Sequence, residues 1–294
     1  MQGQLTVVTG IPSHGKSNFV EWYVLNLIHE YDLKSSFFSP EHHPIKMHFA
    51  NFAQKAIGKP FYSDIDGVKR MTKDDYARFE QWSADRLYIT AGEGADTIDW
   101  KWLIDKFKEQ LFSFGINVFV VDAWNKVQMP QGYNGKEGID RVLTELTAFC
   151  QQNNVQIFLI AHPTKMRKQD NGKYEVPTLY DVSGSADFRN QAHNGFTIYR
   201  NFETDKNAND GNTTFFNMKT KMFFQGDIGA EIVFKYHVPT ARYYIEGCPP
   251  YHLDLTEDGS KEPIDFEEKQ ESINLNDYQN NDFDFDNKPD EYAF

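Results

Sequence analysis

The chain reads as an α/β protein: a mostly parallel central sheet flanked by helices, followed by antiparallel strands. Three short, predominantly apolar runs, Leu5 to Thr9, Val118 to Asp122 and Val155 to His162, each close on a polar residue. They alternate with stretches whose apolar residues recur at helical spacing, the pattern of strand–helix–strand units. Strands apolar on both faces are buried on both, as parallel strands are. Beyond Phe196 the alternation stops, and strand follows strand through turns.

In order, Leu5-Thr6-Val7-Val8-Thr9 is a buried strand, and Gly10-Ile11-Pro12-Ser13-His14-Gly15-Lys16-Ser17 is the turn that leaves it. From Asn18 a helix is predicted, with Val20, Val24, Leu27 and Ile28 on one stripe. Ser35 to Ser39 is a short strand ending at Pro40-Glu41, expected to neighbour the phosphate loop. Ile45 to Ile57 is amphipathic and stops at Gly58-Lys59-Pro60. A helix around Asp74 to Ala84 and a strand at Leu87-Tyr88-Ile89 follow. Trp100, Leu103, Ile104, Phe107 and Leu111 mark another helix, as do Ile139, Val142, Leu143, Leu146 and Phe149, each preceding one of the apolar strands. Phe196 to Arg200, Thr213 to Lys221, Ala230 to Tyr236 and Ala241 to Ile245 read as antiparallel strands. The Asn-, Asp- and Gly-rich connection from Glu203 to Asn212 reads as an exposed hairpin loop. No internal repeat is present.

The net charge of −13 is uneven along the 294 residues. Residues 254–294 hold 14 acids and 3 lysines, whereas residues 1–253 carry 29 acids against 27 bases. The expected organisation is a folded domain over 1–253 and an acidic, disordered tail over 254–294. A near-neutral domain is compatible with a polyanionic partner, because charge can be local. The two cysteines, Cys150 and Cys248, fit neither a disulfide framework nor a metal-ligand spacing. No run is long enough to span a membrane, and Met1-Gln2-Gly3-Gln4 is short and uncharged for a targeting signal, so a cytoplasmic protein is expected.

Gly10 to Ser17 fits the phosphate-loop pattern, with strand before and helix after. Its chemistry needs those residue types: glycines let backbone N–H groups wrap phosphates, Lys16 reaches the β- and γ-oxygens, and the Ser17 hydroxyl ligates Mg²⁺. Gly10, Ser13, His14, Gly15 and the following Asn18 are the expected surroundings of the nucleotide. Hydrolysis needs in addition a metal anchor, a group that positions water, and compensation for charge on the γ-phosphoryl. In a parallel sheet ligands sit beyond the carboxyl ends of strands. Asp122 falls at such an end as a Walker B acid holding Mg²⁺, Glu41 as the group that orients water, and His162 as a reporter of the γ-phosphate. Glu41-His42-His43 with His48 matches no compact metal-ligand spacing and is set aside.

Wording and order extend beyond single motifs. Thr9 to Ser17, Phe38-Ser39-Pro40-Glu41, Val121-Asp122-Ala123-Trp124-Asn125, Ala161-His162-Pro163 with Lys165, and Pro177 to Ala186 together resemble Twinkle-like replicative helicases, of the DnaB-type group with a RecA-like motor. The resemblance runs from about residue 3 to residue 246. It implies a homo-hexamer that hydrolyses ATP, or another NTP or dNTP, with Mg²⁺ at subunit interfaces and moves 5′ to 3′ on single-stranded DNA. Carried over by position, Glu41 is the catalytic carboxylate, Asp122 the Walker B acid and His162 the γ-phosphate sensor. The group's Lys-x-Arg pair, which reaches the neighbour's γ-phosphate, falls on Lys219 and Lys221, with lysine where the finger arginine belongs. DNA contacts fall on loops at about 126–136 and 165–174, the second with Lys165, Arg167, Lys168 and Lys173. Arg200 is matched to a stacked adenine.

The resemblance also implies a linker helix and a primase-type domain ahead of the phosphate-loop strand, and the chain begins without them. The expectation is a fragment, a split-gene product or an ATPase that assembles on DNA or a partner. The tail, with Asp282-Phe283-Asp284-Phe285-Asp286 and a terminal Phe294, resembles peptides that recruit primase or polymerase; a bacterial or phage-infected cell is the expected setting. Two other classes share the core: a recombinase-like filament protein, and an ATP-dependent loader or regulator.

Overall fold

The computed structural model describes residues 3–42, 44–92, 98–166, 168, 174–183, 187–200 and 212–248. The acidic tail, residues 203–211 of the hairpin connection, Gly184 to Ala186, His43, Arg167 and Lys173 lie outside them. The strands are β1 (Leu5–Thr9), β2 (Ser35–Phe38), β3 (Leu87–Ile89), β4 (Val118–Asp122), β5 (Gln156–Ile160), β6 (Asn194–Tyr199), β7 (Asn212–Lys219), β8 (Glu231–His237) and β9 (Arg242–Tyr244). The helices are α1 (Lys16–Glu30), α2 (Ile45–Ile57), α3 (Lys73–Ser83), α4 (Trp100–Phe114), α5 (Gly135–Asn153) and the short α6 (Asp187–Gln191).

All strands join one sheet in the order β3-β2-β4-β5-β1-β6-β7-β8-β9. The pairings from β3 through β6 are parallel, and those from β6 through β9 antiparallel. One sequence expectation is corrected by this order, and a second feature of it was not legible in the sequence. Strand β6 is not purely antiparallel: it runs parallel to β1, Val8 opposite Phe196, and antiparallel only to β7. Strand β2 does not neighbour β1, because β4 and β5 lie between them. Glu41 still reaches the same edge, since all the parallel strands end there.

The sheet has an apolar cluster on each face. Trp100, Phe107, Leu143 and Leu146 from α4 and α5 pack on one, and Phe19, Val24 and Phe52 from α1 and α2 on the other. Helix boundaries follow local chemistry. The Thr72 hydroxyl accepts from Asp75 N–H while the Asp75 carboxylate takes the Thr72 N–H, a capping box at the start of α3. Asp99 caps α4 through Trp102 N–H at 2.8 Å. Gly58 and Gly115 end α2 and α4 in the left-handed region.

Candidate nucleotide site

The phosphate loop is shaped by residues that other side chains could not replace. Gly10 has φ 148°, and a Cβ there would run into the Ile198 carbonyl oxygen. Gly15, φ 87°, turns the chain into α1, so the first N–H groups of that helix face the loop. Lys16 is buried at the same turn, and its ammonium donates to the Gly10 and Ile11 carbonyls at 2.8 and 3.0 Å. Burial pushes its pKa down to about 8, against the opposing pull of Asp122 and Glu41. The cation is thus parked on its own loop within the field of both carboxylates. Ser13 is exposed with φ 67°.

His14 accepts the Arg200 backbone N–H at 3.0 Å, tying the loop to the end of β6. Burial, Lys16 and Arg200 push it down to about 4, so it is neutral at pH 7. Arg200 is therefore beside the loop. Asn18 differs: its amide donates to the Tyr243 hydroxyl at 3.0 Å, so it braces α1 against β9.

At the end of β4, Asp122 is buried, accepts from the Ser17 hydroxyl, and leaves Oδ1 without a hydrogen-bond partner among the described residues. Burial raises its pKa. A serine hydroxyl beside a carboxylate with an unused oxygen is a hard-oxygen donor set that fits Mg²⁺. The Asp122–Ala123 peptide is cis. Glu41 sits in the turn after β2 and pairs with Lys126 at 3.1 Å, a contact the sequence reading missed. His162, one residue past Ala161, is half-buried with Nδ1 unpartnered among the described residues, and burial and Lys16 lower its pKa. The shared fields of Lys16, Glu41, Asp122 and His162 bring four of the residues singled out in the sequence to one place.

Lys219 and Lys221 are elsewhere. Lys219 is opposite Gly195, near the start of β6, and the Lys221 N–H donates to the Asn194 amide oxygen at 3.4 Å. The loop edge at Tyr199 lies four residues further along, about 13 Å at the rise of a strand. Lys219 also donates to the Arg189 and Asn190 carbonyls of α6, the second at 3.2 Å. Neither lysine reaches the phosphate loop of its own chain. Of the expected DNA contacts, Lys165 is exposed and Lys168 lies over the Tyr174 ring at 5.2 Å. In the other loop Lys126 is held by Glu41, and Lys136 lies 3.7 Å from Asp187.

Fold and site together define a P-loop protein with a RecA-like sheet. More narrowly, the chain is 32% identical over 210 residues, 70% of its length, to the Twinkle homolog protein, chloroplastic/mitochondrial, of Arabidopsis thaliana. It spans 29% of that relative's length. Among solved structures it resembles the ATPase domain of G40P, TM-score 0.65 at 12% identity, covering 83% of this chain and 86% of that one. It likewise resembles a DnaB-like replicative helicase described with its interactions with primase, TM-score 0.65 at 11% identity, over 83% and 57% of the two chains. No family model matches. The resemblance carried by the motifs is borne out, in sequence for Twinkle and in fold for the DnaB type. No helix among the described residues is long and apolar enough to cross a membrane.

Proposed function

We propose that the chain is an ATP-hydrolysing motor of the replicative helicase type, acting on single-stranded DNA as a ring of like subunits. One observation carries the reading: Lys16, Glu41, Asp122 and His162, from four strand ends, converge on one phosphate loop. Lys16 leaves the loop carbonyls for the β- and γ-phosphates, and the N–H groups at the start of α1 hold the phosphate oxygens. Ser17 and Asp122 would hold Mg²⁺, which when bound supplies charge neutralisation at the phosphates. Glu41 orients and accepts a proton from the attacking water, with Lys126 fixing its carboxylate. His162, neutral, presents a ring nitrogen toward the γ-phosphate. Arg200 borders the base.

Lys219 and Lys221 act on a neighbour's nucleotide in this reading, supported by their distance from their own loop. Translocation 5′ to 3′ follows from the resemblance. Lys165 and Lys168, with Arg167 and Lys173, track DNA phosphates by charge. The tail ending at Phe294 recruits primase or polymerase, and the domain division at residue 253 follows from composition. The compartment proposed is a bacterial or phage-infected cytoplasm; the plant relative is named chloroplastic and mitochondrial.

ATP hydrolysis measured with and without single-stranded DNA, beside mass by light scattering, tests this. DNA-stimulated turnover in a multimer is expected, and Lys221→Ala should abolish turnover with nucleotide affinity intact. Full turnover in Lys221→Ala sinks the finger assignment. A loader or regulator without unwinding is the second reading, favoured by the engagement of Lys219 on its own α6. Strand exchange in place of unwinding would mark a recombinase.

A further inference from the structure

Helix α1 carries an acid where its apolar stripe should continue. Glu21, Val24, Leu25 and Ile28 lie on one helical face, and all are buried. Helix α2 answers with His48, Phe52 and Lys55 at the same spacing, also buried. Lys55 donates to Glu21 Oε2 at 2.8 Å, and His48 meets Oε1 at 2.9 Å. Burial alone would raise the Glu21 pKa, but Lys55 and His48 outweigh it and hold the group down to about 2.

A third ring joins them. His42, in the turn after β2, stacks on His48 with centroids 4.5 Å apart. Its Nε2 faces Glu21 Oε1 at 3.7 Å, and its Nδ1 faces Asp122 Oδ2 at 3.9 Å. His42 Nδ1 and Asp122 Oδ1 are both buried without hydrogen-bond partners among the described residues. Glu21, His42 and His48 are close enough to be considered as metal ligands. The Lys55 ammonium already neutralises that carboxylate, so the cluster is a paired network and not a cation site.

We infer that His42 is a positioning residue, held by Glu21 and His48 so that its Nδ1 orients Asp122 and the metal's water shell. The bridge ties the phosphate-loop helix to the metal carboxylate. Glu41, the residue before His42, belongs to the same turn, closed by His42 N–H donating to the Ser39 carbonyl at 3.0 Å. Buried polar atoms left unpaired are costly, so His42 Nδ1, which faces Oδ2, and the other carboxylate oxygen, Oδ1, each call for a partner beside Asp122. This rests on the nucleotide-site reading above.

The test uses the full chain, a non-hydrolysable ATP analogue and Mn²⁺ in place of Mg²⁺, with free Mn²⁺ followed by electron paramagnetic resonance. His42→Phe keeps the ring stacked on His48 but removes both nitrogens; His42→Asn loses the ring but restores a polar atom near Nδ1. Metal-free analogue affinity should match wild type within about twofold in both. Mn²⁺ should bind about tenfold more weakly in His42→Phe and within about threefold of wild type in His42→Asn. A role in packing alone predicts the reverse order. Unchanged Mn²⁺ affinity in His42→Phe, or a loss in His42→Asn as large as in His42→Phe, overturns the inference. Should His42→Phe not fold, Glu21→Gln with Lys55→Met removes both buried charges together, and the same Mn²⁺ loss is expected. Wild-type chain that fails to bind the analogue refutes the nucleotide-site reading itself, and the inference with it; normal wild-type binding with unaltered variants refutes the inference alone.

Discussion

Lys16 has a pH consequence that follows from where it is buried. Only its charged form attracts phosphate, and the free chain holds its pKa down at about 8. Phosphate raises that value, so binding takes up a proton once the pH exceeds it. Metal-free nucleotide affinity should be nearly level below pH 7.5 and fall by about tenfold or more between pH 7 and 9.5. Titration with a fluorescent analogue checks this, and a level wild-type profile contradicts it. Lys16 was legible because its spacing from Gly10 and Gly15 is a local pattern. Lys126 was not, because its partner Glu41 is remote in sequence and meets it only through the sheet.

At the scale of elements, periodicity did most of the work. The expected α2 boundaries, Ile45 to Ile57, match the observed ones, because an apolar stripe, Pro44 before it and Gly58 after it are all local signals. The capping box of α3 is likewise written in Thr72 and Asp75, and Thr72→Ala should cost about 1 kcal/mol of stability, measured by urea unfolding. A loss within error of zero would show the cap to be redundant. Periodicity also carried an overlooked signal, since Glu21 occupies a core position of α1 that an acid takes only when paired. Its partners His48 and Lys55 sit on α2, and no pattern within α1 names them.

Across the whole molecule, the sheet separates two sets of residues by its two ends. The phosphate loop, Asp122 and His162 share the carboxyl edge of the parallel strands, and Lys219 and Lys221 lie toward the opposite end. Completion of the site by a neighbour is therefore testable by mixing. Lys16→Ala and Lys221→Ala chains, each inactive alone, should recover turnover when combined, because about a quarter of the interfaces in an equal mixture pair an intact loop with an intact finger. No recovery in assembled mixtures would contradict action between subunits. Neutralising Lys165, Arg167 and Lys168 together should weaken single-strand binding and lower its log–log salt slope by about 2. An unchanged slope would place the DNA elsewhere.

Local and periodic information belongs to the sequence: the phosphate loop, the alternation of strand and helix, and the polar residues that close each apolar run. Each rests on backbone geometry and burial that a few neighbouring residues settle among themselves. The strand order was decided only by the tertiary structure, which put β4 and β5 between β2 and β1 and made β6 parallel to one neighbour and antiparallel to the other. So were the Glu41–Lys126 pair and the Glu21–His42–Asp122 bridge. Side chains far apart in sequence meet only after the sheet is assembled, because the burial that assembles it belongs to no single segment.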